Sequence, residues 1–131
     1  MSIKIDQALI KKFEDSSFGL PIAYEDSNFD PAGSAYAEII VAPNNITPLG
    51  LSETNETDGV FRVILRYPTG NQAVAAKQKA DSIFAAFPIG QRLTYDSTVV
   101  LITSNKREPG YPEDGWYKLV LTMAYKAYLT R

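Results

Sequence analysis

The sequence contains neither cysteine nor histidine among its 131 residues. Without cysteine, the chain cannot form disulfides, thiol nucleophiles, iron–sulfur clusters or thiolate zinc sites. Without histidine, it lacks the usual general base near neutral pH and the commonest metal ligand, and Ser-His-Asp chemistry is impossible. Only carboxylates, lysine, tyrosine and the backbone remain for catalysis. These two absences make an enzyme the less favoured class, and we expect no cofactor and no metal.

The net charge is also small, because 13 basic residues face 15 acidic ones and leave −2. A sequence pI near 5.1 argues against general nucleic-acid binding, which needs a basic surface. No apolar run approaches the length of a membrane span, so we expect no membrane partner. A mass of 14.5 kDa is typical of one domain, and we predict a single domain over residues 1–131.

Charge is divided unevenly along the chain. Residues 1–65 hold four basic and ten acidic groups, which gives −6, whereas residues 66–131 hold nine basic and five acidic groups, which gives +4. A division of this kind suits head-to-tail association of identical subunits, which closes into a ring when the rotation allows. The alternative is that the two halves of the sequence do not form two separate surfaces.

Hydrophobic periodicity predicts two helices and five strands. A first helix ends at residues 15–17, and a second runs from the turn at residues 68–71 to Phe87. Strands are predicted over residues 21–25, 36–42, 59–68, about 92–103 with a bend at residues 96–97, and 116–129. The order α-β-β-β-α-β-β favours an α+β fold in which a mostly antiparallel sheet carries both helices on one face.

Two connections are candidate interaction segments. Residues 44–58 read as a long polar loop after the strand that Pro43 ends, and residues 105–115 read as a second loop. Long loops in compact domains are usually functional or mobile. The eight tyrosines suit an interface, because each offers a large apolar ring with a polar tip, although strand propensity explains several of them as well.

Two clusters of mainly acidic residues are candidate chemical sites. Asp26, Asn28 and Asp30 have the opening spacing of a calcium loop, but proline and alanine stand where glycine and glutamate are needed. We therefore expect a turn there. Glu53, Glu56 and Asp58 cluster in the first long loop, where solvated carboxylates are far commoner than catalytic ones.

Several short segments follow one another in a set order along the chain. They are Leu20-Pro21-Ile22-Ala23-Tyr24-Glu25, Phe29-Asp30-Pro31, Val41-Ala42-Pro43, Pro48-Leu49-Gly50, Gly59-Val60-Phe61-Arg62-Val63, Tyr67-Pro68, the helix to Phe87, Pro88-Ile89-Gly90, Asp114-Gly115-Trp116-Tyr117 and Tyr125. No single one of these motifs is specific, but their order and spacing together resemble the bacteriophage tail terminator (tail completion) family, which is related to a phage domain of unknown function. The resemblance covers about residues 5–128.

The resemblance implies a structural virion protein. Such proteins assemble, usually as hexamers, on the end of the tail tube, stop its polymerisation and form the joint to the head. The implied partners are further copies of the chain, the tail tube protein and a head-completion or neck protein. The implied location is the head-proximal end of the tail, after assembly in the host cytoplasm, and DNA would pass through the ring without specific binding.

No catalytic residue carries over from the resemblance, and we expect the functional surface to be an interface. In this hypothesis, the two long loops reach neighbouring subunits or the tube. Apolar side chains would supply contact area and arginines would pair with acidic groups next door. The predicted interface residues are Leu49, Leu51, Glu53, Glu56, Arg62, Arg66, Arg107 and Tyr111.

Three alternatives remain open at this stage. A neck or head–tail connector protein would share the small domain but bind the portal side. A small non-catalytic module that binds carbohydrate or another ligand would use tyrosines and Trp116, and a sealed apolar pocket beside that tryptophan would favour it. A carboxylate-based hydrolase would need two acidic groups that face each other in a cleft, and no spacing in the sequence predicts this.

Overall fold

The computed structural model describes residues 3–16, 19–24, 35–48, 54–68, 70, 73–95, 98–113 and 115–130. Within these residues the chain forms two helices and seven strands. They are α1 (Ile3–Asp15), β1 (Ile22–Tyr24), β2 (Tyr36–Pro48), β3 (Thr54–Pro68), α2 (Ala73–Ala86), β4 (Arg92–Tyr95), β5 (Thr98–Arg107), β6 (Tyr111–Glu113) and β7 (Trp116–Thr130). The α+β class predicted from the sequence is confirmed. The segment with calcium-loop spacing, Asp26 to Asp30, lies outside the described residues.

The strands form one sheet in the order β1-β2-β3-β7-β5-β4, with β6 paired to the start of β7. The sheet is mixed, which corrects the mostly antiparallel sheet that the sequence predicts. β1 runs parallel to β2, from Ile22 opposite Ala37 to Tyr24 opposite Ile39, while the other described pairings are antiparallel. Side-chain alternation is the same in both kinds of pairing, so the sequence pattern does not reveal strand direction.

Both helices pack on the same face of the sheet, as predicted. The spacing of apolar residues on α1 places Ile5, Leu9 and Phe13 on the sheet, and α2 contributes Ile83 in the same way. These side chains join a continuous core with alternate residues of the strands, among them Phe61, Val63, Leu65, Leu119, Leu121 and Met123. Burial of this apolar area is the main force that holds helices and sheet together.

Phe61 lies at the centre of this core. Its ring meets Phe13 of α1 edge to face at 6.2 Å between centroids, and meets Phe87, which follows α2, at 5.6 Å. The end of α2 is held further by Asn105, whose side-chain amide donates a 3.0 Å hydrogen bond to the carbonyl of Phe87. Phe61 of β3 therefore contacts both helical regions, through Phe13 on one side and Phe87 on the other.

The predicted loop of residues 44–58 is largely a β-hairpin, which corrects the sequence reading. β2 continues past Pro43 to Pro48, and β3 already begins at Thr54. The register between the two strands shifts between Pro43 and Asn45, which marks a bulge or irregularity. Such an irregularity lets a strand continue past a residue that cannot donate a ladder hydrogen bond. β7 pairs with β3 as far as Thr130, which lies opposite Thr54. Three strands therefore run side by side in this part of the sheet.

The second half of the sheet also has more strands than the sequence predicts. The strand expected over residues 92–103 is two antiparallel strands, β4 and β5, on either side of the predicted bend. β5 continues to Arg107, and β6 forms within the loop predicted over residues 105–115. The irregular connection between β5 and β6 is therefore only residues 108–110. Three-residue strands such as β6 are too short to show a readable alternation.

Candidate interaction surfaces

The sheet face turned away from the helices is the first candidate surface, and we call it the open face. Neither α1 nor α2 covers it, because the core residues of both helices pack on the opposite side. Its side chains alternate with the core residues along β2, β3 and β7, and they mix apolar with charged groups. They include Tyr36, Glu38, Ile40, Val60, Arg62, Ile64, Arg66, Lys118, Val120 and Thr122.

An ion-pair network occupies one end of the open face, with Arg66 at its centre. The Nε of Arg66 donates to Glu38, and its Nη1 lies 3.5 Å from Glu113. Lys118 lies 3.8 Å from the same Glu113 oxygen. Burial alone would lower the pKa of Arg66, but the hydrogen bond and charge of Glu38, together with Tyr36 and Glu113, more than offset this, so the pKa rises. The network fixes β2, β3, β6 and β7 in one register.

Aromatic side chains flank this network. The rings of Tyr36 and Trp116 meet edge to face at 5.3 Å, and the ammonium of Lys118 lies 5.8 Å from the centre of the Tyr111 ring. The pKa of Tyr36 is raised, mainly because the side chain is partly buried. The positive charge of Arg66 lowers this pKa, and the negative charge of Glu38 raises it. Tyr111 remains 44% exposed. The end of the open face thus carries a rigid group of aromatic and charged side chains.

A cavity of about 330 Å³ on the helix side of the sheet is the second candidate surface, and we call it the basic pocket. Arg107 ends β5 directly opposite Leu121, a core residue, so its side chain belongs to the helix side. The backbone N–H of Glu108 donates 3.0 Å to the carbonyl of Val120, which holds the rim against β7. The pocket is lined by Lys77, Arg107, Glu108, Pro109, Gly110, Tyr117 and Leu119.

Gly110 shapes the basic pocket through its lack of a side chain. A Cβ atom at this position would collide with the ring and hydroxyl of Tyr117. The tyrosine ring therefore lies directly against the glycine backbone. Only glycine allows this approach, since every other residue carries a Cβ.

The structure separates the predicted interface residues into two groups. Arg62, Arg66 and Tyr111 share the open face, because Arg62 and Arg66 alternate on β3 and Tyr111 pairs with Lys118 opposite Arg66. Arg107 lies on the other side of the sheet, in the basic pocket. Arg62 is exposed, whereas Arg66 is engaged within its own chain, so a contact of Arg66 with a neighbouring subunit stays a prediction.

Four of the predicted residues fall in the sequence between the end of β2 and the early part of β3. The backbone of Glu56 lies in β3, opposite Thr47 on β2 and Tyr128 on β7, and its side chain lies outside the described part of the structure. Leu49, Leu51 and Glu53 lie outside the described residues. Their proposed contacts stay predictions.

Sequence reasoning missed several residues of both surfaces. Glu38 and Glu113 are the partners of Arg66, and Lys77 and Tyr117 line the basic pocket. Glu38 could have been found from alternation along β2, which places it on the same face as Tyr36. The basic pocket could not, since it requires the positions of α2, β5 and β7 relative to one another.

The described residues offer little for metal chemistry or membrane insertion. Within them no group of three or more histidine, cysteine, aspartate or glutamate side chains is placed to hold a metal ion. Neither described helix is long and apolar enough to cross a membrane. The prominent features of this part of the chain are the two surfaces just described.

The described part of the chain is an α+β fold that carries two surfaces of mixed apolar and charged side chains. The family model described as "Phage tail terminator protein" matches residues 4–125. The chain therefore belongs to the phage tail terminator family, which confirms the resemblance noted from the sequence. Membership in a phage tail family supports a structural role in tail completion and a place in the virion tail.

A comparison with solved structures supports the fold alone. One of them shares 23% sequence identity with this chain at a TM-score of 0.81, and the alignment covers 100% of this chain and 99% of that one. No curated protein matches the sequence significantly.

Proposed function

We propose that this chain caps the phage tail tube as a ring of identical subunits, ends polymerisation of the tube and forms the joint to the head. The observation that carries the proposal is the family match, which spans nearly the whole chain. The composition agrees with it, because a chain without histidine or cysteine is better suited to binding than to catalysis.

The proposed ring is a hexamer built from head-to-tail contacts. The number of six subunits comes from the resemblance to the family. The charge division supports the head-to-tail contacts, since residues 1–65 carry −6 and residues 66–131 carry +4. Heterologous contacts between unlike patches close into a ring when the rotation per subunit allows. Six chains of 14.5 kDa would weigh about 87 kDa in native mass spectrometry.

The proposed contacts to neighbours and to the tube involve the open face and the β2–β3 hairpin. Arg62 is exposed at the middle of β3 and has no ion pair among the described residues, so we propose that it pairs with an acidic group of another subunit. Leu49 and Leu51 would supply apolar contact. Glu53 or Glu56 would form ion pairs with arginines of the adjacent subunit. DNA would pass through the ring without specific binding, because an acidic protein repels phosphate.

Assembly on purified tail tubes tests this proposal. The wild-type protein should bind tube ends as a ring visible by electron microscopy, and tails made without it should be abnormal in length. The double variant Leu49→Ala/Leu51→Ala should fold normally but fail to complete tails. A matched control is Val74→Ala, which removes an apolar side chain that is 66% exposed on α2. If the wild-type protein does not bind to tube ends, the proposal is refuted.

A neck or connector protein is the second candidate. It would copurify with the portal side rather than with the tube protein, so the same preparation separates the two. A ligand-binding module built on Trp116 gains no support from the basic pocket. That pocket lies beside Tyr117 on the helix side, whereas Trp116 lies on the open face against Tyr36.

A further inference from the structure

We propose that the basic pocket accepts a carboxylate side chain from a second copy of this chain. The inference rests on the proposed function, because it assigns one of the contacts between subunits of the ring. It names the acidic first half, residues 1–65, as the source of the carboxylate.

The two cations of the basic pocket are available for such a contact. Lys77 and Arg107 are both exposed, and neither has an ion pair among the described residues. Arg66 differs from them, since Glu38 and Glu113 already bind its guanidinium. Glu108 also lines the pocket, so two positive charges and one negative charge leave a net positive site.

The other lining residues suit the side chain of an aspartate or glutamate. Leu119 and Pro109 offer apolar surface for its methylene groups, while the ammonium, the guanidinium and the Tyr117 hydroxyl all donate hydrogen bonds. An ionised carboxylate is an acceptor-only group, and hydrogen bonds to charged donors are about twice as strong as neutral ones. The glycine at position 110 keeps the tyrosine ring close against the rim.

A protein carboxylate fits this pocket better than a nucleic-acid backbone does. Nucleic-acid affinity comes from several phosphates neutralised along an extended basic surface. This site is concave, holds two cations, and places the carboxylate of Glu108 beside them. A single inserted side chain meets these constraints.

The charge distribution points to a second copy as the donor. All seven lining residues belong to the half of the chain that carries +4, and the other half carries −6. A contact between the basic pocket of one subunit and the acidic half of the next is heterologous, which is the geometry that a ring requires. Such complementarity sets orientation and excludes wrong partners.

Carbodiimide coupling on assembled rings tests the proposal directly. This reagent joins an amine to a nearby carboxylate, so it should link Lys77 to an aspartate or glutamate of residues 1–65. Mixing ¹⁵N-labelled with unlabelled protein separates links between copies from links within one copy by mass spectrometry. A link from Lys77 to the tube protein or to DNA would overturn the assignment of a second copy.

Variants of the two cations complete the test. Lys77→Gln/Arg107→Gln should reduce ring assembly about tenfold without changing the melting temperature. Lys77→Arg should assemble normally yet lose the cross-link, because it keeps the charge and removes the amine. Arg92→Gln, which removes an exposed arginine of β4, is the matched control and should assemble normally.

The outcomes separate the pocket from the function. If the double variant forms rings as well as the wild type, the pocket assignment is wrong while the capping function stands. If the wild type forms no ring on tube ends, the proposed function fails and the pocket assignment falls with it.

Discussion

The guanidinium of Arg66 on β3 binds the carboxylate of Glu38 across the β2–β3 pair, while Lys118 and the same guanidinium share Glu113 from β6. This arrangement joins strands that are far apart in sequence on the open face. It also means that Arg66, the central group of this network, is already paired within one subunit.

Replacing Arg66 by methionine should lower the free energy of unfolding by about 1–2 kcal/mol, because Glu38 and Glu113 each lose a charged hydrogen-bond partner. The side chain of Arg66 is 17% exposed, so solvent screens the effect only in part. Urea unfolding followed by circular dichroism measures the change. Arg62→Met is the matched control, since Arg62 is exposed on the same strand, and it should change stability by less than about 0.5 kcal/mol. Equal losses for the two variants would contradict the role given to the network.

The α+β class, both helices and their common face could be predicted from the sequence. Ile5, Leu9 and Phe13 repeat with helical spacing, and Phe61, Val63 and Leu65 alternate along β3 with residues of the open face, among them Arg62 and Arg66. Both patterns follow directly from burial of one side of each element. They are local, so a single sequence displays them.

Features that depend on strand pairing could not be predicted in this way. Pro43 reads as a strand end, but the irregular register after it lets β2 continue to Pro48. The parallel direction of β1 leaves no trace in residue alternation. The basic pocket needs Lys77 and Arg107, which are 30 positions apart, to lie on the same side of the sheet.

Two tyrosine hydroxyls in contrasting settings give opposite predictions for removal of one oxygen atom. The Tyr125 side chain is 1% exposed, and its hydroxyl has no hydrogen-bond partner among the described residues. Tyr125→Phe should therefore stabilise the protein by about 1 kcal/mol, because it removes a hydroxyl that loses its hydration on burial and forms no hydrogen bond in return.

Tyr24→Phe is the matched comparison, because the Tyr24 hydroxyl donates to Glu14. This variant should lose about 0.5–1 kcal/mol in the same unfolding assay. A Tyr125→Phe variant that is less stable than the wild type would show that its hydroxyl has a partner.

Alkaline pH should destabilise the fold through the same Tyr125. Burial, together with the charges of Asp6 and Asp58, raises the pKa of Tyr125 from 10.0 to about 12. The unfolded state, with a pKa near 10, then loses its proton first. The contribution of Tyr125 to the free energy of unfolding is therefore fully present below pH 10, and it is lost as the pH rises from 10 to 12.

Urea unfolding at pH 9, 10 and 11 checks this expectation. The stability difference between Tyr125→Phe and the wild type should widen as the pH rises, since the variant lacks this ionisation. Lysine deprotonation affects both proteins alike and cancels in the difference. A constant difference across this pH range would rule out a raised pKa at Tyr125.

Gly110→Ala should impair the basic pocket more than it impairs the fold. The new methyl group would collide with the ring and hydroxyl of Tyr117, which form the far end of a side chain that can rotate. Rotation relieves the collision at a cost of about 1 kcal/mol. The displaced ring then changes the shape of the pocket beside Lys77 and Arg107.

The matched variant for this prediction is Gly110→Ala combined with Tyr117→Phe. Loss of the hydroxyl removes the atom closest to the new methyl group, so the double variant should recover part of the lost stability. Ring assembly should stay reduced, because the phenol donor is gone and the pocket keeps an altered wall. Melting temperature and assembly on tube ends measure the two effects separately. Full recovery of assembly in the double variant would mean that neither the glycine nor the phenol contributes to the contact.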